Sequence, residues 1–101
     1  MQDREELTGK QKKFLRGLGN RLETKVVIGH GGISENCLRN IDATLKKDEI
    51  VKIRLQPASG LDRHEAAEKI VELTDSSLIK VFGSTILIYR ESIEDKQIYL
   101  P

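Results

Sequence analysis

The chain has no tryptophan, two tyrosines, two phenylalanines, two prolines and one cysteine among its 101 residues. With so few aromatic rings, its core has to be built from leucine, isoleucine and valine. The lone Cys37 excludes an internal disulfide and a cysteine-based zinc site. No run approaches the ~18 apolar residues of a membrane-spanning helix, so no membrane partner is expected. Residues 2–6 are polar, three of them acidic, which leaves no secretory signal to read there. Paired histidines, an H-x-x-x-H motif and a nucleophile beside a base are also missing. These absences point to a non-enzymatic cytoplasmic domain that holds neither metal nor cofactor.

Charge is abundant: 33% of residues are Asp, Glu, Lys or Arg, yet the formal net charge is only +1. The balance is uneven along the chain. Residues 1–54 hold twelve cations against eight acids, and residues 55–101 hold five against eight. Between residues 7 and 32, Lys10, Lys12, Lys13, Arg16, Arg21 and Lys25 face only Glu23. Such a segment suits an anionic partner, although a solvated helix face can look the same.

The length fits one domain, with a core over about residues 7–90 and a tail over 91–101. Thr8 and Gln11 form a capping-box pattern ahead of a first helix, whose apolar stripe reads Phe14, Leu15 and Leu18. Residues 25–29 read as a strand, and the unbroken Val26-Val27-Ile28 run suggests cover on both faces. A second helix follows Ser34, with Leu38, Ile41 and Leu45 as its stripe. Residues 49–55 alternate as a second strand, expected nearer an edge. Asp62 and Glu65 open a third helix with Ala66, Ile70 and Leu73 inward, and Glu65, Glu68, Glu72 and Asp75 outward. Two strands, 78–82 and 86–89, flank a Gly83-Ser84 hairpin turn. The order α-β-α-β-α-β-β predicts an α/β domain with a four-stranded mixed sheet, its first two strands parallel and its last two antiparallel.

Three glycines in four residues, Gly29-His30-Gly31-Gly32, join the first strand to the second helix. Glycine lets a backbone approach a ligand closely, and a helix start presents unpaired N–H groups that suit a phosphate. A plain tight turn explains the same residues equally well. No lysine follows as a P-loop requires, and Ser34 replaces the third glycine of a dinucleotide fingerprint. The basic helix leads into the strand that carries the turn, so both can lie at one end of the domain. Together they favour nucleic acid.

The stretches Leu7-Thr8-Gly9-Lys10-Gln11-Lys12-Lys13-Phe14-Leu15-Arg16 and Val27-Ile28-Gly29-His30-Gly31-Gly32-Ile33-Ser34 resemble the CRM domain, the chloroplast RNA splicing and ribosome maturation family. Its stand-alone bacterial members are the YhbY-like proteins. The likeness continues through Gly83-Ser84-Thr85-Ile86-Leu87-Ile88-Tyr89-Arg90 to Ile98-Tyr99-Leu100-Pro101. It implies a fold similar to the C-terminal domain of translation initiation factor three, with a G-x-x-G loop that binds RNA. Bacterial members associate with precursors of the large ribosomal subunit. Carried over, the loop is Gly29, His30, Gly31 and Gly32, and the adjoining basic helix supplies Lys10, Lys12, Lys13 and Arg16; the charge pattern adds Arg21 and Lys25 as candidate RNA contacts. No DNA specificity is expected.

Family loops often carry lysine, arginine or asparagine where this chain has His30, which makes that contact weaker or sensitive to pH. His30 reads either as an RNA contact or as a solvated turn residue. Cys37 reads as a small buried hydrophobe rather than a reactive thiol. Two rival functions stay open: a protein-interaction module using the apolar tail and acidic helix, and a small nucleotide-phosphate-binding protein.

Overall fold

The computed structural model of the chain describes residues 6–101. Residues 1–5, most of the polar amino-terminal segment, lie outside it. Three helices start on side-chain caps that the sequence announces. In α1 (Gly9–Gly19), Thr8 Oγ1 accepts from the Gln11 amide at 3.1 Å, while Gln11 Oε1 accepts from the Thr8 amide at 3.0 Å. In α2 (Glu35–Asp48), Ser34 Oγ accepts from the Cys37 amide at 3.1 Å. In α3 (Arg63–Thr74), Asp62 Oδ2 accepts from the His64 and Glu65 amides at 3.1 and 3.0 Å. Each cap satisfies donors that a helix start otherwise leaves open.

The strands are β1 (Val26–Ile28), β2 (Ile50–Leu55), β3 (Ser77–Phe82) and β4 (Thr85–Tyr89), in the spatial order β1-β2-β4-β3. β1 and β2 are parallel, joined through α2, and β4 is antiparallel to both β2 and β3. The mixed four-stranded sheet is therefore as the sequence predicts. The second strand is not near an edge, however. β2 is central, and β1 takes the edge.

Apolar side chains on the two faces of the sheet form separate cores. Val51, Ile53 and Leu55 of β2 join Ile86 and Ile88 of β4 under α2 and α3, where Ile41, Leu45, Ala66, Ala67 and Ile70 close the layer. On the opposite face, Ile50, Ile79, Leu87 and Tyr89 pack with Leu15 of α1 and with Ile98 from the chain's end. Gly19 lets α1 approach β4 closely, because any side chain there would collide with the Leu87 methyls. The 91–101 tail thus packs back and completes the α1 layer.

Its clasp is Glu49. This residue ends α2 in a left-handed conformation, φ 68°, and is 0% exposed. Its carboxylate accepts the amides of Ser92 at 2.8 Å and Ile98 at 2.7 Å, and that of Gln97 as well. Arg90 ties the same corner to α2 and α3. Its guanidinium donates to Asp42 Oδ1 at 2.8 Å and to the Thr74 carbonyl at 2.7 Å.

Three expected core positions turn outward. Val27 is 51% exposed, because only the α2 side of β1 is covered. Phe14 is 40% exposed and Leu73 is 55% exposed, since each helix rests on the sheet along a stripe narrower than its apolar pattern.

Candidate nucleic-acid interface

The glycine turn sits at the carboxy-terminal end of β1, just before α2. The Gly32 amide donates to the Gly29 carbonyl at 2.9 Å, and the Ser34 amide to the Gly32 carbonyl at 3.1 Å. Gly32 has φ 65°, a left-handed conformation that glycine adopts without steric cost. Gly31 is not left-handed, and a Cβ there would meet open space. Among the described residues, no acceptor receives the amides of His30 and Gly31. Both residues are exposed. Two unpaired N–H groups next to a helix start are the arrangement that accepts a phosphate oxygen. Glu35, exposed in the first turn of α2, offsets part of that positive potential.

Lys10, Lys12 and Lys13 are exposed on α1, and Arg16 is half-buried beside them. Arg21 and Lys25 are exposed on the connector to β1. The turn and the helix do not share one end of the molecule as expected. Leu15 rests over the Ile50–Tyr89 end of the sheet, and Gln11 donates to the Pro101 carbonyl at 3.3 Å. The glycine turn follows β1 at the opposite end, where Ile28 pairs with Leu55. Arg21 and Lys25 span the distance between them.

Sequence reasoning missed three cations that the strands carry on the α1 face of the sheet. Lys52, Arg54 and Lys80 occur in the strands, and Arg54 and Lys80 are exposed. The Lys52 amine also donates to the carbonyls of Gly19 and Leu22, at 3.3 and 3.2 Å, closing the end of α1. The alternation of β2 signals that Lys52 and Arg54 share a face but not which face is open.

Beside the turn, a groove of about 550 Å³ runs between β1 and α2, lined by Lys25, Gly29, Gly31, Ser34, Asn36 and Asn40. Cys37 also borders it. Burial pushes the Cys37 thiol up from its ordinary value, outweighing the Ser34 hydrogen bond that works the other way. It stays a protonated, half-buried thiol against the main core. Arg90, at the end of β4, is committed to Asp42 and Thr74 and does not extend the basic surface. His64 is exposed at the start of α3. No helix among the described residues is long and apolar enough to cross a membrane.

Comparison with known proteins agrees with this architecture. The Bacillus subtilis protein named "Probable RNA-binding protein YqeI" is 38% identical over 95 residues, covering 94% of this chain and 99% of that protein. A Haemophilus influenzae protein named "RNA-binding protein" is 32% identical over 95 residues, covering 94% of this chain and 95% of its own. The solution structure of the hypothetical protein SAV1595 from Staphylococcus aureus superposes with a TM-score of 0.79 at 45% identity, over 95% of this chain and 100% of that one. The CRS1 / YhbY (CRM) domain model matches residues 7–90, from the start of the α1 cap to the Arg90 tie. The chain therefore belongs to the CRS1 / YhbY (CRM) domain family.

Proposed function

We propose that this chain binds RNA, with backbone phosphates held by the glycine turn and by the basic residues around it. The observation that carries the reading is the pair of unpaired amides at His30 and Gly31, set beside an anion-accepting helix start. Phosphate contacts from Arg21 and Lys25 extend this site, and Lys10, Lys12, Lys13 and Arg16 engage more distant phosphates of the same RNA. Recognition of this type reads shape and backbone more than base sequence. The names of the two relatives support the class of partner.

The finer part of the proposal is association with precursors of the large ribosomal subunit, as the family resemblance implies. Tagged protein would be sedimented through a gradient from growing cells at low salt, and the bound RNA sequenced. Co-migration with large-subunit precursors and enrichment of their RNA is the expected outcome. Recovery only at the top of the gradient, without RNA, would refute it. Low salt is essential because phosphate contacts weaken steeply as ions are added.

A further inference from the structure

Part of the α1 side of the sheet has no helix over it. Direct cross-strand partners share a face, so the register defines its rows. Val27 pairs with Arg54, Arg54 with Thr85, and Thr85 with Phe82, making one row across all four strands. In the row behind it, Leu87 stands between Lys52 and Lys80. Leu87 belongs to the core beneath α1, which identifies the face. Helix α1 reaches Leu87 through Gly19 and ends there, leaving the front row open.

The composition of this strip is specific. Lys80 and Lys52 hold their amines 4.8 and 5.8 Å from the centroid of the Phe82 ring. Arg54 is exposed in the same row as Phe82, Val27 is exposed at its β1 end, and Phe82 is half-buried. Lys52, Arg54 and Lys80 are the only charged residues in the four strands, and all three lie on this one face. A row with Val27 and Phe82 at its ends and Arg54 and Thr85 between them, backed by Lys52 and Lys80 and free of strand carboxylates, complements a chain that is anionic along its backbone and flat and apolar at its bases.

We propose that this strip seats unpaired nucleotides, with the Phe82 ring as a stacking surface for a base and Arg54 and Lys80 as phosphate contacts. The proposal rests on the RNA-binding reading and adds a second, base-contacting surface to it. Four strands at ~4.8 Å spacing span about 14 Å. Aromatic residues on a sheet of that width stack two or three bases in other RNA-binding folds. The strip starts at Val27, two residues before Gly29, so a strand leaving the glycine turn can pass directly across it. The Lys80 stem is flexible enough for a phosphate to draw its amine off the ring and uncover the face a base needs. A duplex has its bases stacked inside and gains nothing from the ring.

The test uses the full chain and two fluorescent probes, a single-stranded oligouridine and an RNA duplex of equal length, in anisotropy titrations at constant salt. Thermal melts establish that Phe82→Leu and Arg54→Gln remain folded. The expected result for Phe82→Leu is about a tenfold loss of affinity for the single strand, with duplex binding unchanged. Arg54→Gln should weaken both probes and flatten the salt dependence. Ultraviolet irradiation should crosslink uridine to the tryptic peptide spanning residues 81–90. Wild-type affinity of both folded variants, or a Phe82→Leu loss equal on duplex and single strand, overturns the proposal. If Gly31→Asp loses binding while both strip variants keep it, the strip is refuted and the RNA-binding reading stands. If the wild type binds neither probe, the underlying reading falls with it.

Discussion

Gly31 and Gly32 are neighbours with different structural roles. Gly32 is left-handed, so any side chain there strains the turn by ~1–2 kcal/mol. Gly31 has no positive φ, and a Cβ there meets open space, so a side chain there is tolerated. Gly31→Asp should therefore melt at the wild-type temperature while losing RNA affinity at least about tenfold, since a carboxylate would occupy the phosphate position. Parallel calorimetry and anisotropy titration would check both halves. The sequence identifies the turn but cannot rank its glycines, because the distinction is a φ value. Glu49 was invisible for a related reason. It reads as the first residue of an alternating strand, yet its three donors lie 43, 48 and 49 residues ahead. Removing its carboxylate in Glu49→Ala leaves those amides without an acceptor, and chemical denaturation should register a loss of about 2–4 kcal/mol.

At the level of elements, the caps were fully legible, because Thr8, Ser34 and Asp62 act on amides two or three residues away. Apolar stripes were legible only in part. Periodicity locates a helix face, but the width of contact depends on the partner surface, and Phe14 and Leu73 fall outside it. The β-branched run at β1 misled in the same way: its composition signals a strand, not how many faces are covered. One tie between elements responds to pH. Burial works to raise the Asp42 carboxyl, but hydrogen bonds and charge from Arg90 and Lys46 outweigh it and hold the group below its ordinary 3.8. A depressed folded value means the stabilisation is complete above that ordinary value and is lost as pH falls through the folded one. Thermal melts below pH 4 should therefore show the wild type losing part of its advantage over Asp42→Asn. Near neutrality the substitution should cost up to about 1 kcal/mol, as expected for a pair this exposed.

Across the whole molecule, the near-zero net charge conceals a separation by face. Lys52, Arg54 and Lys80 lie on the α1 side of the sheet, and α1 itself adds Lys10, Lys12 and Lys13. Glu65, Glu68 and Glu72 are exposed on α3, which packs on the other side. The division of charge along the chain anticipated this, but placing Lys80 required the strand order, since it belongs to the acidic half. A molecule built this way should bind RNA with strong salt dependence. If it neutralises about five phosphates of a single strand, log affinity should fall with a slope of about −3.5 against log salt. Titrations over a series of potassium chloride concentrations would measure it, and a slope near zero would exclude a phosphate-led interface.

The Glu49 clasp has a consequence for how the molecule breathes. The α1 layer is closed by residues 91–101, whereas the α2–α3 layer is closed without them. The two sides of the sheet can therefore open independently. In native-state hydrogen exchange, the amides of Ser92, Gln97 and Ile98 should exchange as one group with those of α1. They should do so at a lower opening free energy than the amides of β2 and β4. Glu49→Ala should accelerate that group and leave the central strands protected, so α1 with its lysines would be the most readily released part of the fold.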